Sequence, residues 1–419
     1  MRTVKREWLA VVGSLVWALL VADGWASGFR NPPESATGMG ALGARMTWVT
    51  DPSAWSYNPA NVAETTKPTV IGSLLWNKGR AEFKAPDGRR GQTTEPENWL
   101  ANLHGAWPLA TGWTAGLAIT TPYGQSTVWH EDGPFQYLSP HRAEMTTISV
   151  APGVAWALNE QLTLGATANL YWSELELRQQ VPWSMQTGIP GIPDGQARLK
   201  GDGLGLGGSV GLTWQMAAQH RLALVYKAPF DIDYDGDTRL GNVPPPLGGL
   251  VAARSDFDTT IKFPTIIAVG YGWQPRENWQ IGIEAEWLEF SRYNELPLDV
   301  GVNNPVGLVP SAIPQDWKDT WTLGAGTAWE VNTRWTVRGG YQFLETPIPS
   351  ATLAPTLPDA DRHVMAIGVG YENGWHRVDA AYAYNYLRRR EVTNNQQPAY
   401  NGSYELTSHL LQLSYRIVF

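Results

Sequence analysis

Beyond residue 66 this chain alternates apolar and polar residues with a period of two, segment after segment, and its apolar faces begin and end on aromatic residues. Trp279, Ile281, Ile283, Ala285 and Trp287 share one face, while Gln280, Gly282, Glu284 and Glu286 share the other. Trp321, Leu323, Ala325, Thr327 and Trp329 alternate with Thr322, Gly324, Gly326 and Ala328. The chain closes in the same way, Leu411, Leu413, Tyr415, Ile417 and Phe419 alternating with Gln412, Ser414, Arg416 and Val418. Successive side chains of a strand point to opposite faces, so each segment has one apolar and one polar side. A soluble sandwich alternates too. Three features separate the cases: aromatic girdles at both ends of the apolar faces, strands of about ten residues or more, and connections that alternate between tight and long.

Fourteen candidate strands follow, over 68–77, 97–107, 112–121, 145–158, 161–180, 203–216, 220–234, 257–273, 278–293, 317–330, 333–344, 361–373, 375–390 and 404–419. Gaps after even-numbered strands are short and those after odd-numbered strands long, as in barrels with short periplasmic turns and long outer loops. The fold expected is all-β, a 14-stranded antiparallel transmembrane β-barrel over 67–419. Among 419 residues there are no Cys, only 17% are charged and the net charge is −8. A disulfide scaffold and a Cys-based metal site are excluded, and the charge has the wrong sign for a nucleic-acid binder.

Residues 1–26 read as a secretory signal peptide: Arg2, Lys5 and Arg6, then the apolar run 8–22, then Gly24 and Ala26 at the small positions before a cut. The run is too short to span a bilayer as a helix. Residues 27–66, rich in Gly, Ala, Ser and Pro, fit no strand pattern. They are expected to form a hatch inside the lumen, because fourteen strands enclose more space than wall side chains fill.

These segments carry a resemblance. Asp51-Pro52-Ser53-Ala54 and Tyr57-Asn58-Pro59-Ala60 resemble the hatch of the FadL/TodX family of outer-membrane transporters for hydrophobic compounds, with its Asn-Pro-Ala motif. Lys318-Asp319-Thr320-Trp321-Thr322-Leu323 resembles that family's tenth strand, Trp335 to Gly340 and Glu345 to Pro349 its eleventh strand and exit, and Leu357 to Arg362 the approach to its twelfth. The resemblance spans almost the whole chain after the signal peptide. It implies a monomer that is not an enzyme and needs no metal or other cofactor. It implies passive uptake of long-chain fatty acids or, in the TodX branch, hydrocarbons, with hatch movement and sideways release into the membrane. Phe419 is the terminal aromatic expected of a substrate of the barrel assembly machinery, and outer-membrane lipid and lipopolysaccharide are the expected surroundings. No nucleic acid is expected as a partner.

The same resemblance points to ligand-binding residues. Arg178 and Lys318 sit at positions similar to the basic residues that hold a fatty-acid carboxylate in some members, a charge-assisted contact. Pairing with Glu174, Glu176, Glu284 or Glu286 is the alternative for both. Phe29 resembles a Phe that reaches the bound ligand; ordinary packing is its alternative. Pro122 and Gly124 end the third strand, and a proline removes a ladder donor, so a lateral gap is expected near 112–124. The loops over 181–200, 240–251 and 298–313 are rich in apolar residues, which fits a capture surface or a small core of their own. Gly203, Gly205 and Gly208 spell a nucleotide-binding pattern, but no helix or βαβ unit follows. Asp231, Asp233, Asp235 and Gly236 resemble the start of a calcium loop, but Asn242 stands where a Glu is required. No nucleophile elbow supports a barrel-borne lipid hydrolase.

Overall fold

The computed structural model describes residues 28–94, 97–110, 112–248, 251–300 and 312–419. The expected signal peptide and residues 301–311 of the third apolar loop lie outside them.

Fourteen antiparallel strands close into a barrel. They are β1 Thr69–Lys84, β2 Glu97–Ala110, β3 Trp113–Val128, β4 Arg142–Ala157, β5 Leu162–Val181, β6 Gly195–Ala217, β9 Trp279–Leu288, β10 Thr320–Glu330, β11 Trp335–Leu344, β12 Arg362–Asn373, β13 His376–Val392 and β14 Gly402–Val418, with β7 and β8 each in two pieces. The pieces are His220–Lys227 and Phe230–Leu240 for β7, and Arg254–Phe263 and Ile266–Arg276 for β8. Both interruptions sit at a proline. Pro229 and Pro264 lie between the pairs Lys227↔Ile266 and Phe230↔Phe263, and neither has an N–H to give to the ladder. β1 pairs with β14 from Thr69↔Val418 to Lys84↔Ser403, which closes the wall.

Girdle residues meet across strands, as in Trp279↔Trp329 and Trp287↔Trp321. Eight residues separate Trp279 from Trp287, about 27 Å along a strand, which suits a tilted strand crossing an apolar band about 25 Å tall. Trp113 and Trp156 stack at 5.0 Å on the periplasmic side.

Several strands run further outward than expected, β1 to Lys84 and β6 from Gly195. The reason is a change of face. Within the membrane the apolar residues point outward to lipid, as exposed Leu204 and Leu206 do. Above it the outside is wet and the apolar residues point inward, as buried Phe83, Ile232, Tyr234 and Phe257 do. The polarity pattern shifts by one residue there while the strand continues.

Residues 28–66 lie inside the wall. They form α1 (Ala36–Gly40), α2 (Arg45–Trp48) and two 3-10 turns, Pro52–Ser56 and Pro59–Glu64. Each of α1 and the two turns starts on a side-chain cap. Ser35 Oγ accepts from Gly38 N at 3.0 Å, Asp51 Oδ1 from Ser53 N at 2.9 Å and Asn58 Oδ1 from Ala60 N at 3.2 Å. Pro52 and Pro59 follow their caps, where a missing N–H costs nothing. The hatch backbone lies directly on the wall at glycines. A Cβ on Gly165 of β5 would collide with the backbone of Pro59 and Ala60. Gly165→Val therefore unseats the second 3-10 turn, at about 1–3 kcal/mol or more of overpacking. Hydrogen exchange of residues 58–64 is expected to rise sharply while the β5–β6 amides stay protected.

Candidate functional site

The outer half of the barrel holds a cavity of about 660 Å³, within the range of small-molecule sites. Met145, Leu175, Leu177, Leu199 and Ile261 line its wall, and Leu298, Val300, Ile348 and Leu353 from the outer loops roof it. α3 (Trp183–Thr187), a short helix in the β5–β6 loop, covers one side, with Trp183 fully buried. Side-chain amides of Gln125, Gln179, Gln180, Gln186, Gln315, Gln396 and Gln397 add a polar rim. Among the described residues, none that lines the cavity carries a charge. The sequence of 301–311, GVNNPVGLVPS, contains none either.

The floor is aromatic. Phe29 of the hatch lies 4.8 Å from Trp317, 5.3 Å from Tyr293 and 5.9 Å from Phe263, measured between ring centroids. Tyr171, Phe230 and Phe263 continue this as a stack at 3.9 and 4.5 Å. Gly28 N donates to Asp359 Oδ2 at 3.4 Å, and Thr346 Oγ1 donates to the same oxygen at 2.8 Å. Burial pushes the Asp359 carboxyl up, and the Arg362 guanidinium, 3.5 Å away, pulls it back.

Immediately beyond Phe29 the wall is interrupted. The β2–β3 ladder stops at Leu103↔Ile119, and β3 slips register against β4 between Thr120 and Tyr123. Further out, Thr94 N donates to Val128 O at 2.8 Å and rejoins β3 to the segment after β1. Between these points the hatch itself bonds to β3. Asn31 N donates to Pro122 O at 3.0 Å, Gly124 N to Phe29 O at 2.9 Å, and Asn31 Nδ2 to Thr121 O at 2.9 Å. Asn102 Oδ1 accepts from Thr121 N at 2.9 Å in place of a ladder bond. One tripeptide, Phe29–Asn31, thus forms part of the cavity floor and fills the interrupted wall.

Beneath that tripeptide lies a buried ion network. Glu286 of β9 receives both Arg30 and Arg45, the latter at 2.6 Å, and Glu284 accepts from Met46 N at 2.5 Å. Arg45 Nε lies 3.7 Å from Glu284.

The family profile described as outer membrane protein transport protein (OMPP1/FadL/TodX) matches residues 17–419. The chain belongs to the OMPP1/FadL/TodX family. It is therefore an outer-membrane protein of the Gram-negative envelope, and its relatives are transport channels. One relative is the long-chain fatty acid transport protein of Escherichia coli O6:H1, 24% identical, with 91% of this chain and 92% of that one covered. The structure of a Pseudomonas aeruginosa FadL homologue superposes with a TM-score of 0.81 at 20% identity, covering 93% of this chain and 99% of that one. The Pseudomonas putida toluene transporter TodX superposes at 0.71 with 17% identity, covering 94% and 100%.

Within this family frame the residues singled out from sequence fall in different places. Phe29 lines the cavity; Arg178 and Lys318 do not. Arg178 shares the outward face of β5 with exposed Leu170, and its guanidinium bonds Glu176 at 2.5 Å. Its neighbours Leu177 and Gln179 face the cavity instead. Glu174 and Glu176 lie on that same outward face, and of the carboxylates named as alternative partners Glu176 is the one that pairs with Arg178. Lys318 is exposed, next to Trp317 of the floor, and its backbone N donates to Pro347 O at 3.0 Å. Pro122 and Gly124 lie in the interrupted stretch of β3. Phe419 closes the seam, its N donating to Pro68 O at 2.9 Å. Asp231, Asp233 and Asp235 lie on the outward face of β7.

Asn58 ties the hatch turns together and to the wall. Its amide donates to Met46 O at 3.1 Å and to Thr213 Oγ1 of β6 at 2.7 Å. Pro59 and Ala60 pack on the wall behind it. Asn58→Ala removes the cap and both donors, and several buried partners lose their bonds. The expected result is about 2–4 kcal/mol of lost hatch stability, read as early hatch cleavage by a protease that leaves the barrel intact.

Proposed function

We propose that this protein is a passive channel that takes hydrophobic compounds across the outer membrane. Ligand enters through the apolar outer loops and rests in the cavity above Phe29. Movement of the Phe29–Asn31 tripeptide opens the floor and the β2–β3 gap together and releases the ligand sideways into the membrane. The single observation that carries this reading is that double placement of Phe29–Asn31, as floor and as wall filler. A dry apolar cavity offsets the water-exposed transit of an alkyl chain by about 0.8 kcal/mol per buried CH₂.

The uncharged lining favours neutral ligands. A carboxylate buried without a cation loses several kcal/mol of hydration with nothing to replace it. Hydrocarbons and neutral long-chain compounds fit this cavity best. Long-chain fatty acids are the second reading, favoured by relatives such as the Escherichia coli long-chain fatty acid transport protein. They would bind as the neutral acid or with the carboxylate at the amide rim.

Equilibrium binding of oleate to the purified, detergent-solubilised protein, with toluene as competitor, tests both. Toluene is expected to compete, and oleate affinity to rise as pH falls and the neutral acid becomes populated. Oleate binding that ignores pH and collapses in Arg178→Ala/Lys318→Ala would restore the cationic clamp. Saturable binding of neither ligand would remove the channel reading.

A further inference from the structure

Above the membrane, β4 to β8 run side by side, and their register sets five arginines in one row. Arg142 is opposite Arg178, Arg178 opposite Arg198, Arg198 opposite Arg239, and Arg239 opposite Arg254. The row is on the outside of the barrel, because residues of the opposite parity on these strands, Met145, Leu177, Leu199, Thr238 and Ser255 among them, line the cavity within. Side-chain exposure rises along it, from 33–38% at Arg142, Arg178 and Arg198 to 56% at Arg239 and 70% at Arg254.

Like charges directly opposite each other destabilise a sheet. Carboxylates one row nearer the membrane offset this in part. Arg142 meets Glu144 at 2.6 Å; Arg178 and Arg198 share Glu176 at 2.5 and 3.0 Å; Arg239 and Arg254 share Asp237 at 2.5 and 3.2 Å. In these pairs five guanidiniums rest on three carboxylates; Lys200 and Asp256 complete the second row, so the two outermost rows together carry six cations and four carboxylates. At about 4.8 Å between strands the row is about 19 Å long and, at a strand tilt near 40°, its two ends differ in height above the membrane by about 12 Å. Arg178 stands six residues beyond Trp172, where the lipid-facing residues end, about 15 Å higher at a strand tilt near 40°. That is the level of lipid headgroups in the outer leaflet, separated from the lipid-facing wall by an intervening row that holds Glu174, Asp202, Asp235 and Asp258.

We propose that this row binds the phosphorylated headgroup of lipopolysaccharide. Guanidinium chemistry suits such a ligand. The group is planar, always charged and able to hold a phosphate through two parallel N–H bonds, and it is less strongly hydrated than a lysine ammonium. The position decides between partners. A soluble phosphate could reach the row, but the row faces sideways along the membrane surface rather than into the loops or the cavity, where an outer-leaflet headgroup already lies.

The deciding experiment is native mass spectrometry of the full-length barrel in detergent with three lipids: a defined rough lipopolysaccharide, the same lipopolysaccharide stripped of phosphate, and phosphatidylglycerol. The variant is Arg198→Gln/Arg239→Gln/Arg254→Gln, with heat-dependent gel mobility confirming a closed barrel. Wild type is expected to retain lipopolysaccharide about tenfold or more tightly than either other lipid, and the variant to lose about that factor. A folded variant that binds lipopolysaccharide like wild type overturns the proposal. So does wild type binding the dephosphorylated form or phosphatidylglycerol as tightly as the intact one, a comparison that decides the matter even if the variant fails to close.

Discussion

Glu286→Ala turns the barrel into a leak. Glu286 neutralises Arg30 and Arg45, and the Arg45 side chain is only 4% exposed. Removing Glu286 takes from Arg30 the carboxylate it bonds and leaves Arg45 only Glu284 at 3.7 Å, which costs about 3–5 kcal/mol. The hatch is the movable partner, since β9 is held by two ladders, so the loss falls on hatch docking. Planar-bilayer conductance is expected to rise from near silence to that of an open pore, and liposomes carrying the variant are expected to swell in a polar sugar. Glu286→Gln keeps an acceptor and leaks less. A Glu286→Ala barrel that stays silent and sugar-tight would show that the ion network does not hold the hatch.

Leu353 offers the second large effect. It is fully buried in the loop before β12 and lines the cavity, so a charge placed there meets no partner. Leu353→Asp is expected to weaken toluene and oleate binding by about 100-fold or more, near 3 kcal/mol, because ligand would bury the carboxylate deeper. Leu353→Lys adds a cation to a cavity whose described lining residues carry none. It is expected to weaken toluene similarly but to raise oleate affinity above wild type at pH 8, measured by quenching of tryptophan fluorescence. Equal losses for both ligands in both variants would take Leu353 off the ligand path.

The strands are readable in the sequence because the lipid-facing positions obey one rule from girdle to girdle. Where the surroundings change, the rule changes. Residues 195–202 read as loop because their apolar members, Ala197 and Leu199, sit on the opposite parity from Leu204 and Leu206. The same parity places Arg178. It is an even number of residues from Leu170 and Trp172, and so lies on the lipid side of β5, whereas the expectation of a carboxylate clamp puts it in the lumen. The better signal is a lack of charge. Residues 179–193, 240–253, 300–315, 346–358 and 392–404 contain no charged residue at all, and each contributes to the cavity or its covering loops. Pro122 announces the break in β3. Nothing local announces that Asn102 replaces a ladder bond or that Asn31 fills the gap, because both depend on where the hatch comes to rest.

The hatch also touches the seam that closes the barrel. Ala36 N donates to Ser414 Oγ of β14 at 2.8 Å, and the same oxygen meets Ser73 Oγ of β1 at 2.7 Å. First strand, last strand and hatch meet at one hydroxyl, although Ala36 and Ser414 are 378 residues apart in sequence. That contact does not exist until the final strand is laid down. During assembly, then, this anchor of the cork forms only as the barrel closes, and a chain stalled before its last strand is an open sheet whose cork has lost one of its anchors.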